Sequence, residues 1–224
     1  MCKSCSNKNE KSTYGKERII MKTRKEITNL TITAVFIALL FIQTFVPNVG
    51  YVRILPSLPA ITTIPLTIAV YGTLMGPKWG LGFGLVWGIT RLVVAYTQPG
   101  DMVSLLLFQN PVISLVPSVL AGFFPGLISQ KFKDRDAHIQ KIGYMLSGAV
   151  ASLTNTILVI LLTDLMFMSN SSTLTSYLGH FCQSTPLLVI LVTALGFNGL
   201  VEAIFNAILV PIIVTPLNLV LKRA

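Results

Sequence analysis

Six apolar stretches, set apart by Pro, Gly and charged residues, leave this chain few folds to choose from. A helix crosses the hydrocarbon layer with about twenty apolar residues. On that scale the sequence predicts helices over Ile27–Val46, Ile61–Met75, Trp79–Tyr96, Leu105–Ser129, Ile142–Met168 and Pro186–Leu209. The second is short. Pro111, Pro117 and Pro125 interrupt the fourth, and Pro211 and Pro216 follow the sixth. A membrane β-barrel would instead alternate polar and apolar residues over segments of about ten. Charged residues make up only 11% of the chain, against about 25% in soluble domains, and the mean hydropathy is +0.74. So few ionised groups cannot cover a water-facing surface, which argues against a soluble enzyme. The apolar runs exclude a disordered chain. The predicted fold is an all-α membrane protein with six transmembrane helices.

The charges then orient it. Seventeen Lys and Arg face eight Asp and Glu. Eight of the basic residues lie in residues 1–26, and Lys78 sits in a Gly76-Pro77-Lys78 turn. Lys131, Lys133, Arg135 and Lys141 lie in one loop, and Lys222 and Arg223 close the chain. With six crossings all fifteen fall on one face, so the excess of positive charge predicts both termini in the cytoplasm. Residues 1–26 read as a flexible basic cytoplasmic arm, and residues 27–224 as the six-helix membrane domain in contact with the lipid bilayer. Basic residues at the ends of apolar segments are topology signals and anionic-lipid contacts, so no nucleic-acid partner is expected.

Only Arg53 and Arg91 remain on the outer half. Ionisable groups at membrane level are functional candidates by default. Arg91 has two readings: it faces a cavity, or it snorkels to the nearby interface. Arg53, beside Tyr51, lies in the first outer loop, where a solvated side chain is the plainer reading. Asn198, Glu202 and Asn206 recur at four-residue spacing and so share one helix face, predicted to point into the bundle. Asn198 and Glu202 are candidate ligand contacts, and Asn206 a structural one. Asn155 offers donors and an acceptor at mid-membrane, and Gln109-Asn110-Pro111 opens the fourth helix. These groups are expected to converge in the outer half, where a small polar ligand would bind, with Trp87 and Tyr51 alongside. The two arginines favour an anionic ligand, because guanidinium grips a carboxylate with two bonds.

Small residues mark close helix approach. Ala34 and Ala38 do so on the first helix, and Gly80, Gly84 and Gly88 form a ridge on the third, facing either the bundle or a partner. Catalytic signatures are missing: there is no HExxH site and no phosphate-cradling GxxxxGK[ST] loop. The chain is therefore not expected to be an enzyme or to hydrolyse ATP itself. Cys2 and Cys5 form a lone pair, with Cys182 and both histidines far off in sequence, so no metal site is expected.

The segments AVFIA (Ala34, Ala38), GPKWGLGFGLVWGITR, QNPVISLVPSVLAGFFPGL and NGLVEAIFNAILVP, in that order, resemble the substrate-binding S component of an energy-coupling factor (ECF) vitamin transporter. Within that family the sequence looks most like the pantothenate-type members. The resemblance covers roughly Met21 to Arg223. It implies a bacterial plasma-membrane protein that needs no cofactor of its own, because ATP is used by two cytoplasmic ATPase partners. It implies a transmembrane coupling subunit contacted through Ala34 and Ala38, and a vitamin bound near the outer face and released inside by reorientation of the subunit. On a pantothenate reading Arg91 would meet the carboxylate, and Asn155, Asn198 and Glu202 the polar groups. Cobalamin, folate or a vitamin precursor, and a stand-alone facilitator, are the alternatives.

Overall fold

The computed structural model of the chain describes residues 3–46, 49–52, 61–97, 107–167, 189 and 192–223. Two compact units emerge, residues 1–39 and 40–224. The first is one helical stretch. Helix α1 runs Lys3–Phe45, so its backbone is already helical well ahead of Ile27, and its last turn belongs to the second unit. On α1, Thr28, Thr31 and Thr33 each return their hydroxyl to the carbonyl four residues back. This satisfies polar groups locally, as a lipid-facing helix requires.

The second unit begins with two strands of two residues each, β1 (Tyr51–Val52) and β2 (Ile61–Thr62), paired antiparallel with Tyr51 opposite Thr62. Helix α2 (Ile64–Met75) follows at once and carries a proline at its start. Gly76, at φ +89°, ends it, a conformation that glycine adopts without strain. Pro77 then opens α3 (Pro77–Thr97), so the Gly-Pro pair makes the tight turn expected here. Helix α4 spans Pro111–Phe132, α5 Ala137–Phe167, and a short π-helical turn (Val192–Gly196) leads into α6 (Phe197–Arg223).

Several expected boundaries shift for identifiable reasons. The fourth helix starts at Pro111, not Leu105. Proline suits the first helical position, and the Asn110 side chain caps the helix by accepting from the Val112 N–H at 3.1 Å. Pro117 and Pro125 stay inside α4, and Pro211 and Pro216 inside α6. The last helix runs Phe197–Arg223 and so ends later than the hydropathy run suggested, while its expected start at Pro186 lies outside the described residues. The loops expected around residues 98–106 and 169–185, and Arg53, lie outside the described residues.

Among the described residues five helices are long and apolar enough to span a membrane, and α2, the run expected to be short, is the sixth apolar helix. Twelve residues make a helix of about 18 Å, well short of a hydrocarbon layer of about 30 Å. Helix α2 tolerates this because it is wrapped by protein. It packs against α3, α4, α5 and α6, and nine of its twelve residues are buried. The β1–β2 pair at its start adds depth with backbone groups that bond each other.

Glycines set how closely the helices approach. A Cβ at Gly80 or Gly84 would strike the backbone carbonyl of Gly122 or Ser118 on α4, and one at Gly126 would strike Pro77. The ridge on α3 therefore faces the bundle, against α4. The opposite stripe, Leu81, Leu85, Ile89 and Val93, is exposed, as is Leu200, Ile204, Ile208 and Ile212 on α6. These are the surfaces that lipid chains would cover. Short connections at Gly76 and at residues 133–136 alternate the direction of α2 to α6. The start of α2, the end of α3, the start of α4, the end of α5 and the start of α6 share one end. The exposed Lys131, Lys133 and Arg135 lie at the other.

Candidate functional site

Arg91 organises the end of the bundle shared by the α2 and α6 starts. It sits one turn beyond Trp87 on α3, and its guanidinium turns inward. One nitrogen donates to Asn155 Oδ1 on α5 at 3.0 Å and to Ser118 Oγ on α4 at 3.3 Å. The guanidinium carbon lies 4.7 Å from the Trp87 ring centre and 3.8 Å from that of Phe108. A cation over an aromatic face gains about 0.5 to 2 kcal/mol, more as water is excluded. Of the two sequence readings, the inward one holds: three helices and two rings hold the charge in place.

Ser118 is itself fixed. Its hydroxyl donates to the Ser114 carbonyl at 2.7 Å, and the Ser114 hydroxyl donates to the Gly88 carbonyl at 2.9 Å. Polar groups thus run from α3 through α4 back to Arg91. The spacing of Ser114 and Ser118 in an otherwise apolar helix is the one signal in the sequence that points to this support. Phe108 carries no such signal, since only the packing of the α4 entry brings it over the guanidinium.

The stripe on α6 points inward as its spacing predicts. Glu202 is 4% exposed and Asn206 fully buried. Glu202 Oε1 accepts from the Thr62 backbone N–H at 2.9 Å and from the Thr62 hydroxyl. Nothing in the spacing of the sequence singles out Thr62, which lies 140 residues away. Asn206 donates to Ser152 on α5, in a region where Gly148 lets the two backbones touch.

Among the described residues Thr73 Oγ1, Trp87 Nε1, Thr163 Oγ1, Asn198 Oδ1 and Asn206 Oδ1 are buried with no hydrogen-bond partner, and of these Trp87, a donor, and Asn198, an acceptor, lie one turn from Arg91 and Glu202 along their own helices. Buried polar groups are rarely left so, because each costs about 1 to 3 kcal/mol. Such atoms mark places where a ligand or water completes the bonding.

The remaining candidates divide. Gln109 and Asn110 are tied into the α4 entry. Gln109 donates to the Ala95 carbonyl at 3.4 Å, and its own carbonyl accepts from Tyr96 Oη at 3.2 Å. Asn110 caps α4 and reaches Met166 Sδ at 3.1 Å. Tyr51 is placed by its backbone in β1, and Arg53 lies outside the described residues. Ala34 and Ala38, one turn apart on α1, are both exposed. Among the described residues no cluster of His, Cys, Asp and Glu has the makings of a metal site.

Comparison with known proteins bears on this arrangement. A family model described as "ECF transporter, substrate-specific component" matches residues 28–214. The pantothenate transporter PanT of Leuconostoc mesenteroides subsp. mesenteroides is 32% identical over 200 residues, covering 87% of this chain and 94% of the relative. The pantothenic acid transporter PanT of Lactococcus lactis subsp. cremoris is 27% identical over 198 residues, covering 82% and 97%. The match spans all the helices that carry the site, and the apolar helices suit a protein that crosses the membrane several times. The chain belongs to the family of substrate-specific components of ECF transporters.

Proposed function

We propose that the chain is the pantothenate-capturing subunit of an ATP-driven ECF uptake transporter. The observation that carries this reading is Arg91, held inward by Asn155 and Ser118 and stacked on Trp87 and Phe108. A half-buried guanidinium with its orientation preset suits a carboxylate. Pantothenate has one carboxylate, two hydroxyls and an amide. Arg91 takes the carboxylate, and the open Trp87 Nε1 donor and Asn198 Oδ1 acceptor meet the remaining polar groups. Asn155 holds the guanidinium and lies beside the same ligand. The names of the two relatives support the same vitamin.

The subunit delivers its ligand by reorienting in the membrane. A transmembrane coupling subunit and two cytoplasmic ATPases supply the energy, and both termini lie in the cytoplasm. The family supports such partners, and the one-sided distribution of Lys and Arg supports the orientation. Ala34 and Ala38 form the contact with the coupling subunit, and their exposure at helical spacing supports that role.

Isothermal titration of the purified protein with pantothenate and with panthenol, its alcohol analogue, tests the ligand. Pantothenate is expected to bind below about 1 μM, near −8 kcal/mol. Panthenol, which lacks the carboxylate, is expected to bind at least about thirtyfold more weakly. Equal binding of the two would remove Arg91 from carboxylate recognition, and no binding of pantothenate would overturn the reading. For the partner face, leucine at both Ala34 and Ala38 should abolish uptake into proteoliposomes that hold the whole transporter. Pantothenate binding by the isolated subunit should stay unchanged.

A further inference from the structure

We propose that Glu202 is a positioning residue: through Thr62 its carboxylate anchors strand β2 against the ligand-binding end of α6. Only the kinetic part of the test below rests on the pantothenate reading.

Glu202 Oε1 takes both donors of a single residue, the N–H of Thr62 at 2.9 Å and its hydroxyl. The Glu202 side chain is buried, at 4% exposed, and leaving a buried polar group without its partner costs about 1 to 3 kcal/mol. The strand it holds has little else of its own. The ladder is two residues long, with Tyr51 opposite Thr62 and Val52 opposite Ile61, and so short a pair is at best marginal without outside support.

The neighbouring Thr63 ties the same strand end to two further elements. Its N–H donates to the Gly50 carbonyl at 2.9 Å, and its hydroxyl accepts from Gln43 Nε2, in the last turn of α1, at 3.2 Å. Gln43 Oε1 in turn accepts from the Thr67 hydroxyl on α2 at 2.9 Å. Thr62 and Thr63 thus form a node. One residue is tied to α6, and the other to the end of α1, to Gly50 and to α2. The Glu202 bond is the part of this node that reaches α6, one turn from Asn198. Any ligand held by Arg91 and Asn198 therefore lies next to a strand whose position depends on Glu202. Loosening that strand speeds ligand escape more than it slows entry.

Four variants of the full chain, Glu202→Ala, Glu202→Gln, Thr62→Val and the Glu202→Ala/Thr62→Val double, separate the possibilities. The first readout is hydrogen–deuterium exchange over residues 50–64, which needs no ligand. Glu202→Ala is expected to speed exchange at the strand amides about tenfold or more, and Thr62→Val about threefold, in line with losing two hydrogen bonds and one. Glu202→Gln keeps an oxygen acceptor and should stay near the parent. The second readout is the association and dissociation of radiolabelled pantothenate. Dissociation should speed up in the same order, with association within about twofold of the parent. The double variant should be no worse than Glu202→Ala alone, because both changes remove one interaction.

Unchanged exchange in Glu202→Ala and Thr62→Val would overturn the anchor whatever the ligand proves to be. So would a Thr62→Val dissociation rate equal to the parent's, which would make Glu202 a direct ligand contact. So would effects that multiply in the double variant. Failure of the parent to bind pantothenate would instead sink the ligand assignment, leaving exchange to decide the anchor. If Glu202→Ala does not fold, Thr62→Val and Glu202→Gln still decide it.

Discussion

Two regions of the helix bundle differ in what lies between their helices. Where α3 crosses the middle of α4, and α5 the middle of α6, glycines bring backbones into contact. Gly80 lies on Gly122, Gly84 on Ser118, and Gly148 on Asn206. No side chain fits between such helices. Toward the end where α3 finishes and α6 begins, the same helices carry Trp87, Arg91, Asn155, Asn198 and Glu202. Close approach continues there, with Gly88 against Leu115 and Gly199 against Thr156, but polar side chains now reach across between helices, and the bonding is left incomplete at Trp87 Nε1 and Asn198 Oδ1. The lesson is that side-chain size apportions the bundle. Small residues pack one region backbone to backbone, and beside it the other region carries a half-buried cation and open hydrogen-bonding atoms. Membrane helices gain little from the hydrophobic effect between themselves, so close packing has to supply the stability.

That contrast can be broken first at Arg91. Its replacement by alanine should weaken pantothenate binding by about 2 to 5 kcal/mol, measured by titration calorimetry, while the melting temperature in detergent changes little. A large loss of thermal stability with intact binding would make Arg91 part of the scaffold. Next is Gly80→Val, whose side chain would strike the Gly122 carbonyl. Overpacking of this kind costs about 1 to 3 kcal/mol or more, so the melting temperature should fall sharply. Normal stability would mean that the α3–α4 seam can open.

Smaller still is Asn206→Ala, which removes the bond to Ser152. Polar contacts between membrane helices are worth about 0.6 to 2 kcal/mol. The variant should melt slightly lower and bind pantothenate as before, and a marked loss of binding would move the boundary of the site one turn deeper. Gly82 sharpens the contrast from the other side, because a Cβ there meets nothing within 4 Å. Gly82→Ala should raise helix stability by about 0.5 to 1 kcal/mol with no effect on binding.

Several features of this layout are legible before any coordinates. The four-residue spacing of Asn198, Glu202 and Asn206 predicts one inward face, because a carboxylate and two amides on a membrane helix avoid lipid. The Gly-Pro pair at residues 76 and 77 predicts the turn. The glycine ridge predicts close packing, though not which helix it meets. Helix α2 is the counterexample. Its apolar run predicts a crossing, yet its depth is resolved by the protein around it and by the β1–β2 pair, neither of which hydropathy registers. The entry to α4 is another, since a proline that reads as an interruption serves as a first helical residue once Asn110 caps it.

The sequence by itself determined the solvent, the helical class and the transporter family. Charge content, long apolar runs and motif order are local properties that survive in any conformation. It also singled out Arg91 and Glu202, because isolated charges at membrane depth are costly wherever they end up. Only the tertiary structure decided what those charges do. Arg91 joins Asn155 across 64 residues and Ser118 across 27, and Glu202 joins Thr62 across 140. Such pairings depend on which helix lies beside which, and that is set by the fit of small residues between helices, a three-dimensional property that spacing along the chain does not encode.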